Sequence, residues 1–156
     1  MKRHSEIERF IQTVAHAARQ LEPAAYESVC RFIYQSQASC GAFCDRGGQP
    51  DLYYSFFGYL ICKAFQLDQE VMQLQEYASH APGSRQTFIS CSIAAFFRYS
   101  RHPSFLTAWN ASVRLTWRWI KAKDRTDQAY RSFVSMLLLN HFWGSPRYLS
   151  GILSKI

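Results

Sequence analysis

The sequence predicts an all-α fold of about seven or eight helices in one domain of 156 residues. Three observations lead there. Apolar residues recur at helical spacing through the whole chain, which buries one face of each segment. Clusters of Gly, Pro, Ser and Asp punctuate that pattern at intervals that suit helix caps and turns. The composition, 48% apolar against 19% charged, suffices for a real core.

Taken in order, Ile7, Phe10, Ile11, Val14, Ala17, Ala18 and Leu21 mark a first amphipathic helix, with Ser5 as its N-cap. Pro23 opens a second helix that carries Tyr26, Val29, Phe32 and Ile33. The stretch from Cys40 to Pro50 holds Gly41, Gly47 and Gly48 and reads as a loop, after which Asp51 caps a third helix. That helix runs to Leu67, is interrupted only by Ser55, Lys63 and Gln66, and is expected to lie inside. A fourth spans Gln69 to about Ser79, and a break at Pro82-Gly83 leads to a fifth, Thr87 to Tyr99. His102-Pro103-Ser104 opens a sixth to Lys123, Asp124 to Asp127 a seventh to Phe142, and Ser145-Pro146 a short last one. A faint internal echo places Asp51, Tyr54, Phe57, Leu60 and Ile61 against Asp127, Tyr130, Phe133, Met136 and Leu137. Alternating inner and outer helices of that kind are how helical repeats read.

Composition also narrows function. No apolar run approaches the roughly 18 residues of a membrane-spanning helix. The start, MKRHSEIERF, carries charges where a signal peptide would be apolar, so a cytoplasmic setting is expected. Five cysteines, an odd number, fit reduced thiols better than a disulfide framework. The net charge is +7, and between Arg85 and Lys123 stand seven basic residues and no acid. Such a stretch favours an anionic partner.

The most specific string is Phe32-Ile33, Gln37, Gly41-Ala42-Phe43, Asp45-Arg46-Gly47-Gly48, then Pro50-Asp51-Leu52-Tyr53-Tyr54-Ser55-Phe56-Phe57. Gln37 can cap carbonyls at the end of the second helix and bond the turn, and Gly41 supplies a helix-ending backbone. Phe43 can stack over that turn, and Asp51 can bond the free amides of the third helix. Over residues 32–67 this resembles the repeat of the squalene cyclases and protein prenyltransferase β subunits. The resemblance implies an α/α helical-repeat arc, a partial α/α toroid, with Phe32, Gln37, Gly41, Phe43, Asp51 and Tyr54 as its motif residues. Enzymes of that family close about a dozen helices around an apolar cavity, more than this chain holds. They also hold zinc with an Asp and a Cys two residues on, whereas Tyr53 stands two residues after Asp51 here, and a phenol is a poor zinc ligand. The acidic clusters of the cyclases have no counterpart. No catalytic residue, metal or cofactor is therefore expected.

Two other constellations stand out. Cys40 and Cys44 with His80, His102 or His141 have no usual metal-ligand spacing, and small buried thiols explain them more simply. On the sixth helix, Leu106, Trp109, Val113, Trp117 and Ile120 form one stripe, expected to face the core. Arg114, Arg118 and Lys121 share its flank, either as an anion-binding face or as a solvated one whose Arg stems cover apolar surface. Three functional classes follow. A noncatalytic helical module would bind a protein partner or a copy of itself. A prenyltransferase-like protein would hold an isoprenoid or other long apolar ligand with an anionic head group. A basic helical protein would bind nucleic acid, for which the chain carries no recognition signature.

Overall fold

The computed structural model describes residues 5–81, 88–101, 103–121 and 128–143, apart from the side chains of 118–121, 128–131 and 143. The chain is all-α. Its helices are α1 (Glu6–Ala18), α2 (Pro23–Ser36), α3 (Leu52–Ala64), α4 (Asp68–His80), α5 (Phe88–Arg101), α6 (Phe105–Lys121) and α7 (Gln128–Trp143). Among the described residues extended pairing is confined to isolated bridges, Gln37 with Phe43 and Cys44 with Pro50. The short helix expected at Ser145-Pro146 lies outside the described residues. No described helix is long and apolar enough to cross a membrane.

The boundaries of the first three helices show local causes. Ser5 and Glu8 form a reciprocal capping box at α1, with Glu8 N–H on Ser5 Oγ at 3.2 Å and Ser5 N–H on Glu8 Oε2 at 2.8 Å. Proline in its first turn starts α2. Asp51 caps α3 by accepting from Tyr54 N–H at 2.9 Å. The expected run of α3 to Leu67 is cut at Ala64, because Gln66 takes a left-handed φ of 59° and turns the chain into α4.

The contacts gather into two compact units. One comprises residues 10–84. Within it α3 packs on α4, and Ile33, Phe43, Phe56, Tyr59, Leu60, Val71 and Leu74 are buried. The Tyr26 hydroxyl donates to Phe65 O at 3.1 Å, tying α2 to the end of α3. Burial and the nearby Glu70 push the Cys62 thiol up to about 12, which leaves it an inert core side chain. The interior expected for α3 holds for eight of its residues, but Tyr53, Tyr54, Phe57 and Ile61 reach solvent. A helix covered on one flank by α4 keeps the other flank open, whatever its hydrophobicity.

The other unit comprises residues 1–9 and 85–156. Here α5 packs on α6 and α7, and α6 on α7, burying Ile93, Phe96, Phe97, Leu115, Leu138 and Phe142. The start of α1 is clipped to the end of α7: Glu6 N–H donates to Asn140 Oδ1 at 2.9 Å, and Ser5 Oγ lies 3.0 Å from His141 Nδ1. Burial lowers the affinity of His141 for a proton, with Glu8 opposing. Its ring sits against Phe96 and Tyr99.

Candidate functional site

The glycine-rich loop between α2 and α3 is built from the inside. Gln37 ends α2 in extended backbone and donates from Nε2 to Gly41 O at 2.8 Å, so its amide holds the turn rather than the last carbonyls of α2. Ala38 N–H meets Ala42 O at 2.7 Å and Gly41 N–H meets Ala38 O at 2.9 Å. Gly41 has φ +85°, and a Cβ there would stand 2.8 Å from Gln73 Cβ and 2.9 Å from Gln73 O. Glycine is required twice over, for the left-handed turn and for the close approach to α4.

Phe43 is buried against α3, where its ring lies over Gly58. Its N–H donates to Ser55 Oγ at 3.0 Å, a fully buried bond, and its carbonyl accepts from Asp51 N–H at 3.0 Å. Asp45 Oδ1 accepts from Gly47 N–H and Gln49 N–H and closes the loop tip. Of the six motif residues, Gln37, Gly41, Phe43 and Asp51 thus converge on one turn. Phe32 is 69% exposed and Tyr54 is also exposed, so neither joins that core. Ser55, Gly58 and Gln73 carry no motif role in the sequence, yet all three shape this turn. Ser55 stood out only as an interruption in an apolar helix and Gly58 not at all, and the packed residue Phe43 gives both a role.

A cavity of about 250 Å³ lies beside this turn, lined by Cys40, Glu76, Tyr77, His80 and Ala81. His80 Nδ1 is 3.3 Å from Glu76 Oε1, and both side chains are largely in solvent. Burial raises the Tyr77 phenol above its ordinary range, with the nearby Cys40, Asp51 and Cys44 adding to the effect. Cys40 and His80 both line the cavity, whereas His141 is packed among rings of the other unit and His102 lies outside the described residues. Among the described residues no three of His, Cys, Asp and Glu are grouped to hold a metal ion.

The sixth helix reverses its expected orientation. Leu106, Trp109, Val113 and Trp117, expected in the core, are 70, 55, 50 and 57% exposed. The face that α6 buries is the opposite one, Ala108, Ala111 and Leu115. Small residues let α6 approach α5 and α7 closely, and that packing decides which apolar face is covered. Phe105 extends the outer stripe, its ring stacked on Trp109 at 6.4 Å. Arg114 is exposed on the flank of the stripe. Arg118 and Lys121 follow it on the helix backbone, and their side chains lie outside the described set. No protein-family model, curated protein or solved structure matches this chain.

Proposed function

We propose that this chain is a noncatalytic helical module that binds a protein partner, its helices forming an open α/α arc of the toroid type that the partner completes. One observation carries the reading: α6 turns Leu106, Trp109, Val113 and Trp117 outward while packing through its alanines. Large contiguous apolar surface on a folded chain marks an interaction site. Covering what remains open on these four side chains is worth on the order of 4 kcal/mol before the costs of association. The toroid relationship draws support from the Gln37–Gly41 turn, the Phe43 ring on Gly58 and the Asp51 cap. A noncatalytic role draws support from the same bonds, since they engage the motif's polar groups in holding backbone.

Site-specific photocrosslinking tests it. Benzoylphenylalanine in place of Trp109 should give a discrete protein adduct in producing cells, and the same residue in place of the exposed Glu27 should not. No protein adduct at 109, or equal adducts at both positions, would refute the docking function.

A second reading, an apolar ligand with an anionic head group, rests on the exposed ladder of α3. Tyr53 meets Phe57 at 5.0 Å and Tyr54 at 5.8 Å, each edge to face. Native mass spectrometry should then find a stoichiometric lipid that is lost in Phe57→Ser. Nucleic-acid binding rests on net charge alone, and steep salt dependence of binding to an arbitrary duplex would bring it forward.

A further inference from the structure

We infer that the partner of the α6 face is an acidic amphipathic helix of another protein, laid along Leu106, Trp109, Val113 and Trp117 with carboxylates over Arg114. This rests on the docking function proposed above and names its chemistry. The four stripe residues with described side chains are spaced three, four and four apart, one per turn along about three turns, and the Ile120 side chain lies outside the described residues. A straight row of that kind is what the ridges of a second helix interdigitate with. The backbone of α6 is already bonded within the helix, so strand addition is closed to it.

Charge then selects among helices. Seven cations and no acid lie between Arg85 and Lys123. Three of the cations with described side chains, Arg98, Arg101 and Arg114, reach solvent. By helical spacing Arg118 and Lys121 continue the flank that Arg114 begins. A second copy docking symmetrically through its own α6 face would bring the same cations, with no acid between Arg85 and Lys123 to meet them. A partner with carboxylates along its flank meets the charge and steers encounter.

Other anionic surfaces fit less well. A phosphate backbone offers nothing to Leu106 and Val113. A bilayer offers charge and hydrocarbon, but Asn110 is exposed at the edge of the stripe, one turn after Leu106. Hydrocarbon leaves an amide without a hydrogen-bond partner, whereas a protein side chain supplies one.

The test uses the full chain and defined probes. These are a capped helical peptide with Leu on one face and Glu elsewhere, its Lys-for-Glu counterpart, and a scrambled Leu/Glu peptide. Vesicles of phosphatidylcholine with phosphatidylserine complete the set. Blue shift of tryptophan emission reports cover over Trp109 and Trp117. The Leu/Glu peptide should bind at least about tenfold tighter than the Lys and scrambled peptides, and Arg114→Glu should remove about that factor. Trp109→Ser with Val113→Ser should abolish the shift with helix content and cooperative unfolding retained, since neither side chain lies on the face that α6 buries. Equal binding of the Lys or scrambled peptide, binding that survives the double substitution, or uptake by vesicles alone would overturn the inference. A protein adduct at position 109 with no preference for the Glu peptide sinks the acidic helix and leaves docking standing. Absence of the adduct sinks docking itself.

Discussion

Replacing Gly58 by alanine sets two effects of opposite sign against each other. Glycine inside a helix costs about 1 kcal/mol relative to alanine, so propensity alone makes Gly58→Ala stabilising. A Cβ at this position would, however, stand 2.2 Å from Phe43 Cδ2, 2.3 Å from Cε2 and 2.7 Å from Cγ. Cγ is one bond from Phe43 Cβ, so the ring cannot clear the methyl group by rotating at its far end. The Phe43 backbone is held by Ser55 Oγ at 3.0 Å, which limits relief by translation. Overpacking of this kind costs about 1–3 kcal/mol, and a partly expelled Phe loses part of the roughly 1.5–3 kcal/mol that burial supplies. The net expectation is destabilisation by about 2 kcal/mol, a fall in Tm of about 4–8 °C for a chain of this size. Thermal and urea unfolding followed by far-UV circular dichroism should be run on Gly58→Ala, Phe43→Ala and the double variant. With the ring removed, Gly58→Ala should change sign and stabilise by about 0.5–1 kcal/mol. A stabilising Gly58→Ala with Phe43 present, or the same effect in both backgrounds, would refute the packing argument.

Three further outcomes are expected. Ser55→Ala strands the buried Phe43 N–H and should cost about 1–3 kcal/mol, with Ser55→Thr milder if its hydroxyl keeps the bond; denaturation midpoints decide. Gly41→Val should cost more than Gln37→Ala, which loses one hydrogen bond worth about 1 kcal/mol, because valine meets both the left-handed φ and the Gln73 backbone. A Gly41→Val protein as stable as the parent would remove that account of the turn. Burial holds the folded-state proton affinity of His141 below the ordinary value of 6.5. The unfolded chain therefore takes up the proton first as pH falls. The contribution of His141 is complete above about pH 6.5 and declines as the pH drops through that value towards the folded one. Tm should fall between pH 7.5 and 5.5, and His141→Gln should flatten that slope; an unchanged slope would show that the Ser5–His141 junction is not the titrating element.

Residue chemistry close in sequence was legible. The Ser5 cap, the proline at the start of α2, the Asp51 cap and the need for glycine at position 41 follow from backbone groups within a few residues. Such interactions span one turn, so local sequence contains both partners. The bond from Gln37 to Gly41 lies in the same range, four residues apart.

Contacts between distant segments were not legible. Ser55 looked like a blemish in an apolar helix until it met the Phe43 amide twelve residues back. Nothing near Gly58 in sequence says that an aromatic ring rests on it. His141 became a half-buried partner of Ser5 only because the end of α7 meets the start of α1.

By itself, then, the sequence determined an all-α chain, the placement of its described helices apart from the end of α3, and the chemistry of several of their starts, because 3.6-residue periodicity and capping are local properties. Tertiary packing alone decided which of two apolar faces on α6 was covered. Both carry the helical period, one lined by Ala108, Ala111 and Leu115 and the other by Leu106, Trp109, Val113 and Trp117. Hydrophobicity favours burying the larger stripe, but close approach of three helices favours small residues at the contact, and packing geometry prevailed over side-chain size.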